Sequence, residues 1–193
     1  NAHTGTVAIG HLALSALTTG AYNTAIGYQA LQEHVDGGYN TAVGYNAMYR
    51  TGGSNADGSA DNIAIGANAL SGDWANVASS QNIGIGSSTL AGVLNGAVDN
   101  IGIGYSALNA LTTGNSNVVI GSNAGDAITQ GVGNILLGIN AGSALSTTNY
   151  NVFEGYYCGN VNTGSENVAI GACFSSAVAA SQCVAIGRSA IGN

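Results

Sequence analysis

Asn23-Thr24-Ala25-Ile26-Gly27 is the phrase on which the fold turns, because it returns along the whole chain. It reappears as Asn40-Thr41-Ala42-Val43-Gly44 and Asn62-Ile63-Ala64-Ile65-Gly66, then opens at Asn82, Asn100, Asn117, Asn134, Asn151 and Asn167. Thr6-Val7-Ala8-Ile9-Gly10 and Cys183-Val184-Ala185-Ile186-Gly187 are variants at either end, which makes eleven copies. The closing glycines are Gly10, Gly27, Gly44, Gly66, Gly86, Gly104, Gly121, Gly138, Gly155, Gly171 and Gly187, spaced 16 to 22 residues apart. A recurring period of this size means stacked units, none of which can bury its own apolar face alone. The copies fill residues 1–193, so the sequence predicts one elongated repeat domain.

Taking each closing glycine as position 0, position −3 is Val, Ile or Thr in every copy, and position −1 is aliphatic in all but one. Side chains alternate across a strand, so −3 and −1 share one face, and β-branched residues suit it. Positions −2 and 0 share the other face and are mostly Ala or Gly. Position +3 is usually Ala and +4 is often Leu, after which polar runs such as Leu17-Thr18-Thr19-Gly20 supply turns. One repeat therefore reads as a strand, a bend, a shorter strand and a turn. The expectation is an all-β, parallel β-solenoid of about eleven coils, a rod of roughly 50 Å at ~4.8 Å per coil. The Ile column, including Ile26, Ile65, Ile103 and Ile170, is expected to form the continuous core. The column of Asn23, Asn40, Asn62, Asn82, Asn100, Asn117, Asn134, Asn151 and Asn167 is expected to form a ladder of amide hydrogen bonds along the axis. The small −2/0 face reads as a second packing surface suited to a neighbouring protomer at a threefold axis, the alternative being that it packs inside its own coil. A coil this thin is marginally stable alone, which favours an oligomer, most naturally a homotrimer.

Composition narrows the function. Nine acidic residues face two arginines and no lysine, a net charge of −7. Such a chain has no basic patch for nucleic-acid phosphates or for an anionic membrane surface. No apolar run is long enough to span a bilayer, so no membrane insertion is expected. The hydrophobic fraction is 46% and patterned, which argues against disorder, and the absence of proline excludes collagen. The chain opens on Asn1 rather than Met and carries no signal peptide, so it reads as a piece of something larger. Cys158, Cys173 and Cys183 lie close together without a C-x-x-C or a histidine nearby in sequence, so they read as buried thiols rather than a zinc site or disulfide framework.

The repeat, Asn-x-Ala-Ile-Gly followed by x-x-Ala-Leu, resembles the YadA-type head repeats of trimeric autotransporter adhesins and related repeats of bacteriophage tail fibres. Asn167-Val168-Ala169-Ile170-Gly171 is the closest unit to the first, and the stretch from Gly20 to Leu31 is similar to the fibre version. The resemblance covers nearly all of the chain. It implies a left-handed β-roll, a trimer, and an extracellular adhesive or spacer role on a virion tail fibre or a bacterial cell surface. The period here is somewhat longer than the usual adhesin head repeat, and no coiled-coil stalk or anchoring barrel is present.

Candidate sites sit where the repeat departs from its pattern. In the long interval between Gly44 and Gly66, Asn55, Asp57, Ser59 and Asp61 alternate around Gly58 like the opening of a calcium loop. Gly66 stands where such a loop needs its bidentate glutamate, and a polar turn is the competing reading. The next long interval holds Trp74, the only tryptophan, suited either to stacking on a sugar or to covering the solenoid edge. Tyr28, Tyr45, Tyr105 and Tyr156 share position +1 and form a partial column that could bind a glycan or cover the bend. Glu154 interrupts the Ile column, beside Phe153 in the small column. A carboxylate aimed at a core is costly, so the ninth coil is expected to be remodelled, with Glu154 meeting Arg188 or turning to solvent. No cofactor other than possible calcium is implied, and no catalytic motif is present. His3, His11 and His34 lie near the N-terminus, away from most of the acids.

The sequence thus predicts a non-enzymatic, structural and adhesive fibre segment, with a cell-surface glycan or protein as its receptor. The rival is a filament subunit stacking end to end through uncapped solenoid edges. An ice-binding solenoid would need a flat Thr ladder, and only Thr24 and Thr41 share the −3 column.

Overall fold

The computed structural model describes residues 4–52, 58–74, 76–160, 164–172 and 181–188. It is all-β. Three-residue strands follow one another as β1 (Val7–Ile9), β2 (Thr24–Ile26), β3 (Thr41–Val43), β4 (Ile63–Ile65), β5 (Ile83–Ile85), β6 (Ile101–Ile103), β7 (Val118–Ile120), β8 (Ile135–Leu137), β9 (Val152–Glu154), β10 (Val168–Ile170) and β11 (Val184–Ile186). They form one eleven-stranded parallel sheet in strict chain order. Each strand pairs with the next at equivalent positions, as Thr24↔Thr41, Ala25↔Ala42 and Ile26↔Val43 show. The chain is a parallel β-solenoid, and its coils are numbered 1 to 11 by closing glycine. Among the described residues no helix is long and apolar enough to cross a membrane.

Among the described residues the predicted second strand is not there. After each closing glycine from Gly10 to Gly155 the chain turns twice through the left-handed region, at +2 and +4, and it does so again at −5 before each strand. In coil 2 these residues are Gln29 (φ 56), Leu31 (φ 52) and Tyr22 (φ 58). Left-handed backbone costs an ordinary residue roughly 1–2 kcal/mol, so only a surrounding lattice of bonds can hold it. That lattice runs between coils. The Gln29 N–H donates to the His11 carbonyl of the coil before (2.9 Å), and the Leu31 N–H to the Ala47 carbonyl of the coil after (3.0 Å).

The core is also the reverse of the sequence expectation. Ala25, Ala42, Ala64 and Ala169, all at −2, are fully buried, while Ile26, Ile65 and Ile170 at −1 are 37 to 40% exposed. Ile103 is only half-buried. The Ile column is therefore the outer face, and the small column packs inside its own coil. The reason lies in the strand alternation: −4 and −2 point together. Burying the asparagine amides beside alanine lets each amide find its partners, and Leu31, Met48, Leu70, Leu90 and Leu108 at +4 then fill the interior.

The asparagine ladder does form. The Asn40 Nδ2 donates to Asn23 Oδ1 (3.1 Å) and so does the Asn40 backbone N–H (2.9 Å). The same pair of bonds recurs up to Asn167, whose Nδ2 donates to Asn151 Oδ1 (3.1 Å). Along the ladder Nδ2 also reaches the turn of the following coil, as from Asn100 to the Gly114 carbonyl (2.9 Å). All nine side chains are at most 2% exposed.

Interior volume is held constant by exchange between −2 and +4. Coils 7, 8 and 9 carry large Val119, Leu136 and Phe153 at −2, and Gly125, Gly142 and Gly159 at +4. A Cβ on Gly142 would meet Leu136 Cδ1 at 2.8 Å, and one on Gly159 would meet the Phe153 ring. Leu136→Ala alone is expected to cost about 2–5 kcal/mol through the cavity it leaves. Leu136→Ala with Gly142→Leu is expected to recover most of that loss, less the roughly 1–2 kcal/mol that leucine costs at the left-handed backbone of Gly142, since volume-conserving exchanges are tolerated. Urea denaturation of both variants checks this; a double variant no better than the single one would refute the exchange.

Candidate functional site: the outward aliphatic and aromatic face

The outward face is built by the strands themselves. With −4 and −2 committed to the interior, −3 and −1 are turned out in every coil, and parallel register lines them into two aliphatic columns. At ~4.8 Å per coil and roughly 10 Å across a three-residue strand, eleven coils present about 500 Å² of flat, mostly aliphatic surface. Single exposed isoleucines are ordinary; a contiguous patch of this size is comparable to the largest found on typical monomers, which is often functional. Its columns hold one charge, Glu154.

Glu154 is exposed in ordinary strand geometry, with Leu137 and Ile170 as register partners. Glu154 turns to solvent, one of its two expected outcomes, and β9 needs no remodelling for it, because a residue at −1 already faces solvent. Among the described residues the ion pair is instead Arg50 with Asp73, at 3.9 Å and well exposed, so it adds little to stability. Phe153 fits the interior because Gly159 vacates the space opposite.

Aromatic side chains flank the aliphatic columns. At +1, His11, Tyr28 and Tyr45 stack in consecutive coils, with centroids 5.5 and 5.4 Å apart and ring planes 12° and 7° apart. Tyr105 and Tyr156, in coils 6 and 9, are exposed at the same position without joining that stack; Tyr156 meets Tyr157 edge-on. A second stack, Tyr22 on Tyr39 (5.0 Å, 20°), stands at −5. Sequence reasoning missed it, although Tyr22, Tyr39 and Tyr150 all lie five residues before a closing glycine.

Other candidate residues are placed differently. Trp74 is 1% exposed in the core, its N–H bonded to the Arg50 carbonyl, so it offers no stacking surface. Its indole Nε1 has no partner among the described residues. Of the calcium candidates, Asn55 and Asp57 lie outside the described residues. Ser59 is buried and accepts the Ser79 N–H (3.1 Å), whereas Asp61 is exposed. Among the described residues no group of three or more His, Cys, Asp or Glu could hold a metal. His34 is buried within reach of Thr51 Oγ1 (3.1 Å) and the Gly37 carbonyl (3.0 Å), a core histidine. Cys158 is buried, and desolvation pushes its thiol up to about 11. The neutral thiol is a poor nucleophile at physiological pH. Cys183 is half-buried, and His3 and Cys173 lie outside the described residues.

Comparison with protein-family models, curated proteins and solved structures finds no match in any of the three. The chemistry of the face therefore carries the functional argument.

Proposed function

We propose that this chain is a structural and adhesive segment of an extracellular fibre, on a phage tail or a bacterial surface, and that it performs no catalysis. It assembles as a homotrimer through the outward aliphatic columns of coils 4 to 11, leaving coils 2 and 3 open. The observation that supports this reading is the outward face, whose two strand columns are aliphatic without interruption from coil 4 to coil 8. Three flat faces closing on one another around a common axis remove them from water and leave the turns and tyrosine-bearing edges free. Coils 4 to 11 bring about 400 Å² per protomer to this contact, at the small end of specific interfaces, where roughly 800 Å² per partner is standard.

Light scattering after size exclusion tests the assembly. A mass of about three times 18.9 kDa is expected. Ile85→Lys places a charge in the middle of the face, at a residue already 36% exposed, and is expected to yield folded monomer. A wild-type monomer would overturn the trimer. A second reading, the end-to-end filament, draws on β1, whose three residues are all exposed and which among the described residues pairs with β2 alone. A large, polydisperse mass that Ile85→Lys leaves unchanged would favour it.

A further inference from the structure

The outward face changes chemistry between coils 3 and 4. From coil 4 to coil 8 both strand columns are aliphatic throughout, from Ile63 and Ile65 to Ile135 and Leu137. In coils 2 and 3 the −3 position instead carries the hydroxyls of Thr24 and Thr41, and a tyrosine stands at each end of the strand: Tyr22 and Tyr28, then Tyr39 and Tyr45. All four tyrosines are 44 to 61% exposed. Neither segment, 22–28 nor 39–45, contains a charged residue.

The two tyrosine pairs are stacked along the rod, at 5.0 and 5.4 Å. Their ring faces cover one another, and their edges and phenol hydroxyls are left toward solvent. Stacking fixes the rings before any ligand arrives, so little side-chain entropy remains to be lost on binding. The patch is thus a preorganised set of hydroxyls and C–H surface, repeating once per coil.

We propose that this patch binds a short neutral glycan, two or three β-linked pyranoses laid along the rod axis. The coil repeat of about 4.8 Å is close to the advance per unit of an extended β-linked hexose chain, so successive sugars meet equivalent hydroxyls. Ile26 and Val43 supply the apolar floor between the threonines. The Tyr45 ring ends its stack, because coil 4 carries small Ala67 at the same position; its uncovered face can stack on a pyranose. An anionic ligand finds no cation here and is repelled by a chain of net charge −7. The inference rests on the adhesive reading and names the class of receptor it recognises.

The test is titration calorimetry with the β-1,4-linked trisaccharides of glucose and of N-acetylglucosamine, on the wild type, Tyr22→Ala and Tyr45→Ala. Saturable binding of at least one trisaccharide is expected, weakened tenfold or more in each variant. No binding of either at millimolar concentration, or equal binding by all three proteins, would overturn the proposal. Light scattering on the same samples separates the two readings: unchanged mass with no sugar bound removes the glycan site and leaves the fibre assembly standing.

Discussion

Asn100→Leu is expected to be among the most damaging single substitutions in the molecule, although it replaces a polar core residue with an apolar one of similar size. The Asn100 Nδ2 donates to Asn82 Oδ1 in the coil before (3.0 Å), to the Val98 carbonyl (3.0 Å) and to the Gly114 carbonyl of the coil after (2.9 Å). Its Oδ1 accepts both the Asn117 backbone N–H (3.1 Å) and the Asn117 Nδ2 (2.9 Å). Leucine removes these bonds and leaves the Gly114 carbonyl and the Asn117 backbone N–H without their partners in a fully buried site, while Asn82 Oδ1, Asn117 Nδ2 and the Val98 carbonyl each keep one other bond. Each stranded group costs about 1–3 kcal/mol. With both stranded and the other bonds lost, the loss is roughly 3–6 kcal/mol, a large share of the roughly 5–15 kcal/mol that holds a typical domain. Because coils bond only to their neighbours, the damage concentrates at the junctions of coils 5, 6 and 7. Urea denaturation reads the loss, and hydrogen exchange is expected to show the Asn117 amide opening first. A loss under about 1 kcal/mol would mean that the ladder is an accompaniment of stacking rather than its cause.

Gly104→Ala is the second large effect, through geometry instead of hydrogen bonding. Gly104 has φ 129, and a Cβ there would sit 2.7 Å from both the carbonyl carbon and oxygen of Gly121 in the next coil. That region of backbone space is nearly closed to residues with a side chain, and the clashing atoms are backbone, which cannot swing away. A loss above about 3 kcal/mol is expected from strain and forced separation of the coils. Gly58→Ala is the control: φ is 85, but nothing lies within 4 Å of the added carbon, so the left-handed backbone alone is charged, at about 1–2 kcal/mol. Melting temperatures of the two variants check the contrast, and equal losses would show that the contact between glycines is unimportant.

Much of this was legible from the repeated phrase alone. Strand positions, parallel register and the asparagine ladder follow from period-two alternation and from what amides need. The polarity of the coil does not, because alternation sorts residues into two faces without saying which one is inside. Hydrophobicity favoured Ile26 and its equivalents. The decision rests with Asn23 and its equivalents, which share a face with the alanines and can be satisfied only in the interior. Glu154 followed from the same inversion: it looked anomalous against a core column and is unremarkable on an outer one. The left-handed residues at +2 and +4 were hidden for another reason. Leu31 and Leu70 are poor candidates for that conformation on their own, and only the bonds to adjacent coils impose it. At the candidate site, the Tyr28 and Tyr45 column was visible as spacing, whereas the exposure that makes it a surface, and the burial that removes Trp74 from it, required the coil to be closed.

The bonds between coils also determine how the rod carries load. Between coils 6 and 7, Ile101 donates to Asn117, Leu108 to Ala124, Ala110 to Asp126 and Thr112 to Thr129, while Gly121 and Asn123 donate back to Ile103 and Tyr105. These links ring the perimeter and lie side by side with respect to the axis. A pull along the rod must therefore break a whole ring at once, whereas a sideways tug on an end coil can peel its links one at a time. Such a rod is strong in tension lengthwise and yields first to peeling at an end coil.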